Sequence, residues 1–268
     1  MASTAAATTQ EPTVRVLARG LRILKAFQPH NDWLSNQEIA ELTGLPKPTV
    51  SRLTATLTTL GYLIYSHPRG RYRLNLAVLE LGYFALANQG LCSMARPLMQ
   101  ALANREDALV VLAEHDDMAM LCSEVCHSEH SIVSLRVHRG SRLVLPYSAA
   151  GRAYLGGLPA AARQALCDEI ARRFPKDWPM LSKGIALAAS EVAQHGFCIT
   201  MGSLENGVSG VGVPVHIPNA PYRYALGCAA PSFHFPRDHL EQEIGPALLA
   251  VKRQIELPFT PALGQATR

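Results

Sequence analysis

Ser35-Asn36-Gln37-Glu38-Ile39-Ala40-Glu41-Leu42-Thr43-Gly44-Leu45-Pro46-Lys47-Pro48-Thr49-Val50-Ser51-Arg52-Leu53 decides the fold. Ser35 precedes Glu38 by three positions, the spacing of a capping box, in which each side chain satisfies a free backbone N–H of the other. A helix therefore starts here. Gly44 ends it, because glycine takes positive φ at little cost. Leu45-Pro46-Lys47 makes a turn, and Pro48 sits in the first turn of the next helix, where it loses no helical hydrogen bond. That second helix is predicted over about Pro48–Leu60, with Val50, Leu53, Leu57 and Leu60 as one buried stripe. At about 100° per residue, Ser51, Arg52, Ala55 and Thr59 fall on the opposite face. The threonines at 54, 56, 58 and 59 are weak helix formers, so packing must hold the helix. Small Ala40, Gly44 in the turn and branched Val50 suit two steeply crossing helices, the helix-turn-helix arrangement. A plain helical hairpin satisfies the same positions.

Upstream, Val14, Leu17, Leu21, Leu24 and Phe27 recur at three- and four-residue steps and predict a helix over 14–28. Downstream, Tyr62-Leu63-Ile64-Tyr65 and Arg71-Tyr72-Arg73-Leu74 are β-prone runs around the turn cluster Ser66-His67-Pro68-Arg69-Gly70. A short hairpin with Arg69 and Arg71 at its tip turns the motif into a winged helix-turn-helix. Lys47, Thr49, Ser51 and Arg52, on the first turns of the second helix, are placed to reach phosphates or base edges in a major groove. Arg52 is the candidate for a bidentate guanine contact, and a phosphate contact is equally ordinary for it. Arg69 and Arg71 would grip backbone or minor groove and add salt-dependent affinity; the alternative for them is a solvated turn.

The charge agrees with this placement. Residues 1–75 hold nine Lys/Arg and four Asp/Glu, a surplus of +5, while the remaining sixteen bases and seventeen acids give −1. A small basic domain beside a nearly neutral larger one suggests a polyanionic partner. The 268-residue length suggests about two domains. No apolar run approaches the roughly 18 residues of a membrane span. Residues 1–13 are rich in Ala and Thr and contain no Lys or Arg, so a disordered tail is expected there rather than a leader, in a cytoplasmic chain. Six cysteines lie scattered along the sequence and are expected to be reduced, buried small hydrophobes.

Leu76–Asn88 reads as a linker helix that is apolar nearly all round. Its second face would pack on the same helix of another subunit, or on the larger domain of its own chain. The remainder alternates strands and helices. Helices are predicted over 92–103, 151–156, 159–174, 185–196 and 237–255. Strands are predicted over 109–114, 118–126, 132–137, 143–146, 197–201, 209–216 and 224–229. The fold class is α+β, an antiparallel sheet flanked by helices. The domains are then a tail 1–13, a DNA-binding domain 14–75, a linker 76–90, a second domain 91–257 and a tail 258–268. No catalytic motif, phosphate loop or dinucleotide fingerprint is present. Cys122, Cys126, His127 and His130 would suit a metal on a helix. In an extended strand the two thiols stand about 13 Å apart and cannot share one zinc, so no metal or cofactor is expected.

Taken together these residues resemble the IclR family of bacterial transcription regulators. The resemblance is carried by 16–27, by Glu38-Ile39-Ala40 through Leu53, by Leu57 and Leu60-Gly61-Tyr62, by Tyr72-Arg73-Leu74 and by Leu79-Glu80-Leu81-Gly82. In the second domain Ser148–Leu155, His195-Gly196-Phe197 and Val211-Gly212-Val213-Pro214-Val215 fit as well, so it spans about 14–257. The resemblance implies a winged helix-turn-helix joined to a GAF/PAS-like effector domain, and homodimers or homotetramers on double-stranded operator DNA. It also implies a small effector, commonly an organic or aromatic acid. Effector positions map onto Ala149, Ala150, Thr200, Val208, Gly210, Gly227 and Ala229, with Cys198 and Cys228 lining or flanking the pocket. The acidic stretch usual after the Gly-Phe pair is Thr200-Met201-Gly202-Ser203 here, with Glu205 three positions late, and the serines of the last strand are Gly227 and Ala229. Fewer hydroxyls suit a ligand larger or more apolar than a two-carbon acid, unless polar contacts come from elsewhere.

Two other classes fit some of these features. One is an enzyme, or a thiol or metal sensor, with a nucleic-acid-binding appendage and its chemistry near Cys122–His130 or Cys198. The other is a constitutive DNA-binding protein whose second domain only oligomerises.

Overall fold

Ser35 caps its helix through both halves of a capping box. Its hydroxyl accepts from the Glu38 N–H at 3.3 Å, and the Glu38 carboxylate accepts from the Ser35 N–H at 2.8 Å. The computed structural model describes residues 14–28, 31–87, 90–130, 135–204, 207–218 and 224–259, so both predicted tails, apart from 258–259, lie outside it. The chain divides into two compact units, one up to residue 88 and one from residue 89.

In the first unit α1 (Arg15–Leu24), α2 (Asn36–Thr43) and α3 (Lys47–Thr59) are followed by the hairpin β1 (Leu63–Ser66) and β2 (Arg71–Leu74), then α4 (Ala77–Ala87). Gly44 ends α2 at φ 66°, the left-handed conformation expected of it. The core is Ile23, Leu34, Ile39, Leu45, Val50, Leu57 and Leu63. Two expectations change. Leu60, predicted in the buried stripe of α3, is 62% exposed, and Thr54 is buried in its helix instead. Thr54 tolerates this because its hydroxyl bonds the Val50 carbonyl and Asn36 Oδ1. Thr56, Thr58 and Thr59 likewise return their hydroxyls to the carbonyl four residues back, so none competes with the helix. Of the stripe predicted for this helix, Val14, Leu17 and Leu21 face outward, while Leu24 and Phe27 pack partly buried against the core that Ile23 enters fully. With a core this small, α1 contributes one edge to it, and its remaining apolar face is exposed, as are Leu76, Leu79 and Leu81 around α4.

The second unit begins with α5 (Gly90–Glu106), β3 (Leu109–Asp116), β4 (Ala119–His127) and β5 (Arg142–Val144). It continues through α6 (Ala149–Gly156), α7 (Ala160–Arg173) and α8 (Trp178–His195) to β6 (Cys198–Leu204), β7 (Val208–Val215) and β8 (Tyr224–Pro231). It closes with α9 (Arg237–His239), a π-helical turn (Leu240–Ile244) and α10 (Gly245–Glu256). The strands form one antiparallel sheet in the order β5-β4-β3-β8-β7-β6. Alternation along each strand divides the core. Val110, Leu112, Val211, Val213, Leu226 and Cys228 pack against α5 and α10. Leu109, Val111, Ala113 and Ala225 face α6, α7 and α8. The fold is α+β, with helices on both faces of the sheet.

The strand predicted over 132–137 does not form in its described part. Residues 135–138 carry no strand, and 132–134 lie outside the described residues. The Val137 carbonyl is bonded by the His127 ring at 2.7 Å, and Arg139 turns back to the Glu124 carboxylate at 2.8 Å. These side-chain bonds take the place of a ladder.

Candidate nucleic-acid interface and effector face

Ser51 and Arg52 are exposed on the first turns of α3, Lys47 is exposed at its start and Thr49 is half-buried. The buried Val50, Thr54 and Leu57 fix the rotation of the helix that leaves this face outward. Lys47 Nζ lies 3.4 Å from Gln37 Oε1, its hydrogen-bond partner on α2. Arg69 is exposed in the turn between β1 and β2. Arg71 does not share that freedom: it is the first residue of β2, with one guanidinium nitrogen 3.0 Å from the Glu38 carboxylate and 2.8 Å from the Trp33 carbonyl. Glu38 is held below the usual carboxylate range by the Ser35 backbone N–H first, then the Ser35 hydroxyl, with Arg71 adding to both. Arg71 thus ties the wing to the start of α2.

Two residues here escape a motif search. Trp33 precedes Leu34, whose backbone exchanges both hydrogen bonds with Tyr72 of β2. Arg69 and Arg73 each place their guanidinium carbon 5.2 Å from the centroid of the Trp33 ring. The available signal was the period-two spacing of Arg71 and Arg73, which puts both on one face of a strand.

In the second unit the register gathers most of the positions expected for an effector. Cross-strand pairs Thr200–Gly210 and Gly210–Ala229 form one row, with Gly212–Gly227 beside it and Val208 beyond it. All lie on the α6 side of the sheet, and the first residues of α6 are Ala149 and Ala150. The helix begins over Gly212, where a Cβ would lie 2.0 Å from the Ala149 carbonyl, and ends over Pro214 at Gly157. The Thr200, Gly210 and Ala229 row therefore lies past its N-terminal turn. Ser148 caps that turn by accepting from the Gly151 N–H at 3.1 Å. Thr200 is buried, and its hydroxyl donates to the Gly210 carbonyl at 3.3 Å. Cys198 flanks this face, packed among Ala153, Ala188 and Val192. Cys228 does not: it points to the opposite side of the sheet, with Val110 and Leu226.

All six cysteines are buried, and the two thiols of β4 lie on opposite sides of the sheet. Ser123 is an extra residue in β4, where Leu112 pairs with Glu124 but Ala113 pairs with Cys122. This bulge shifts the alternation, so Cys122 faces the α6 side and Cys126 the α5 side. Burial pushes the thiol of Cys122 up to about 12 and that of Cys126 up to about 11. Cys198 is likewise raised to about 12 by burial. Among the described residues no group of three or more His, Cys, Asp or Glu is placed to hold a metal ion, and no helix is long and apolar enough to cross a membrane.

Two family descriptions match the chain: "IclR helix-turn-helix domain" over residues 16–66 and "Bacterial transcriptional regulator IclR C-terminal" over residues 83–257. The chain is 34% identical to the HTH-type transcriptional regulator TsaQ1/TsaQ2 of Comamonas testosteroni, covering 93% of this chain and 90% of that one. It is 26% identical to the Pca regulon regulatory protein of Pseudomonas putida over 89% of this chain and 82% of that one. Among solved structures it is similar to an IclR family transcriptional regulator from Brucella abortus, with a TM-score of 0.81, 37% identity, and 96% and 97% of the two chains covered. It shares the fold of an IclR homologue from Microbacterium hydrocarbonoxydans complexed with 4-hydroxybenzoate, with a TM-score of 0.69, 22% identity, and 91% and 98% covered.

Proposed function

The chain belongs to the IclR family of transcriptional regulators, and on that premise we propose that it is a ligand-responsive regulator of a catabolic or transport operon, acting as a homodimer or homotetramer on a pseudo-palindromic operator. The observation that carries this reading is the outward face of α3, with Ser51 and Arg52 exposed beside Lys47 and held by a buried stripe on the other side. Two such helices in a dimer would enter successive major grooves about 34 Å apart, or a multiple of that. The exposed Val14, Val16, Leu17 and Leu21 of the α1 region and Leu76, Leu79 and Leu81 of the α4 region supply apolar surface for subunit contact.

The effector is a small organic or aromatic acid. Its carboxylate would sit at the N-terminal turn of α6, where free backbone N–H groups and the helix dipole favour negative charge. Gly210 and Ala229 carry little or no side chain past that turn, and Thr200 supplies a hydroxyl oxygen. The Microbacterium structure of the same fold contains an aromatic acid of this kind. Ligand would act by binding two subunit arrangements with different affinity, the condition for any shift between them.

The test is binding of the full chain to DNA upstream of its own gene and of the neighbouring genes. Arg52→Ala is expected to lose about 1–3 kcal/mol of preference for the operator over random duplex while keeping its folding transition. Unchanged preference removes Arg52 from the interface. A thermal-shift series over organic and aromatic acids tests the effector reading. A shift that Thr200→Val weakens supports the α6 site, and no shift with any acid overturns it.

A further inference from the structure

The region before α2 holds three arginines around one aromatic ring. Arg69 and Arg73 both approach the Trp33 indole, at 5.2 Å each, while Arg71 bonds the Trp33 backbone carbonyl and Glu38. Arg69 and Arg73 are exposed, Trp33 is half-buried, and among the described residues neither of these two arginines has an ion pair with an acidic side chain. A guanidinium resting on a ring uses its face and keeps its in-plane N–H donors free, and those donors form the fork that matches phosphate. The ring is fixed in turn. Leu34 exchanges two backbone hydrogen bonds with Tyr72, and Asn36 accepts from Thr54 of α3. One short segment, 33–36, therefore anchors both the wing and the recognition helix.

We propose that Trp33 is a positioning residue that holds Arg69 and Arg73 as a paired clamp for the phosphodiester backbone of duplex DNA, with Arg71 reserved as the internal strut that fixes the wing. This rests on the DNA-binding reading above. The clamp adds Arg73 to the interface and assigns Arg71 to holding it in place. It carries affinity and salt dependence rather than sequence choice, because phosphates are the same at every base pair.

The experiment uses the full chain and a labelled random-sequence duplex of about 40 base pairs, with affinity followed between about 50 and 200 mM salt. Arg69→Gln and Arg73→Gln should each flatten the slope of log affinity against log salt by about 0.9 for every phosphate no longer neutralised. Trp33→Leu keeps both charges and the backbone carbonyl that Arg71 uses. It should leave the slope nearly unchanged while weakening binding about three- to tenfold, and Trp33→Phe should recover part of that affinity. A melting curve checks each variant. Should Trp33→Leu not fold, Trp33→Phe and the two arginine variants decide. Unchanged slopes in both arginine variants overturn the clamp, and wild-type affinity in Trp33→Leu overturns the role of the ring. A wild-type chain without salt-dependent duplex binding overturns the DNA-binding reading itself. That outcome differs from a silent clamp on a chain that binds.

Discussion

Gly212 of β7 passes so close to Ala149 of α6 that a Cβ on the glycine would stand 2.0 Å from the Ala149 carbonyl oxygen. No L side chain fits there without separating helix and sheet. Gly212→Ala is expected to cost about 3 kcal/mol or more through overpacking against backbone. Gly20→Ala is the contrast: that helical position has nothing within 4 Å of an added Cβ, and the change should stabilise by about 0.5–1 kcal/mol. Urea unfolding of the two variants, with opposite shifts in midpoint, checks the pair.

Glu124 lies buried between two half-exposed arginines, Arg96 at 2.8 Å and Arg139, which approaches both carboxylate oxygens. Removing both guanidiniums strands a charge in the interior. The double change Arg96→Met with Arg139→Met should cost about 3–5 kcal/mol, and adding Glu124→Leu should restore most of it. If the triple variant is no more stable than the double, the destabilisation comes from packing and not from the charge.

Raised thiols make the second unit sensitive to alkali. At pH values below 9.0, the ordinary thiol pKa, the thiols are protonated in folded and unfolded chains alike, so they leave stability unchanged. Above it the unfolded chain loses these protons first, while folded Cys122 and Cys198 hold theirs to about 12. Stability therefore falls as pH rises through that window. The same burial predicts slow labelling by a thiol reagent at mildly alkaline pH until denaturant is added. Rapid labelling of the native chain would contradict it.

On the acid side the group to watch is Glu38. Its depressed carboxyl contributes stability above its ordinary value of 4.5, and that contribution is lost as pH falls through the folded value. Glu38→Gln should remove this acid-dependent part of the unfolding curve. Ser35→Ala should cost about 1 kcal/mol at neutral pH through removal of the cap. Unfolding midpoints across an acid series separate the two effects.

Local chemistry made the first unit readable. Ser35, Glu38 and Gly44 act over a few residues, so their spacing specified α2 and its turn directly. The exposure of Val14, Leu17 and Leu60 was not readable in the same way. Periodicity says that a face is apolar, and it does not say whether this unit's core is large enough to cover it. The candidate effector positions came from resemblance, and the sheet register places Thr200, Gly210 and Ala229 in one row that no local pattern reveals. Cys228 was misplaced because adjacent strand residues point to opposite faces, and only the pairing of Val110 with Cys228 shows which side it takes. Trp33 and Arg73 were missed because a ring and a cation brought together by strand pairing have no fixed sequence spacing.

The bulge at Ser123 has a wider consequence for β4. Its hydroxyl donates to the Leu112 carbonyl at 3.1 Å. The single inserted residue works as a phase switch in an otherwise periodic strand, and the two halves of β4 obey opposite inside–outside codes. Removing Ser123 alone would leave Cys122 opposite Ala113 and Glu124 opposite Leu112 as neighbours in an unbroken ladder, so both would keep their present sides. Keeping the residue but straightening the strand would instead turn one half over, sending Met120 and Cys122, or Glu124 and Cys126, to the wrong core. Ser123 is therefore the place in β4 where length can change by one residue without exchanging the contents of the two cores.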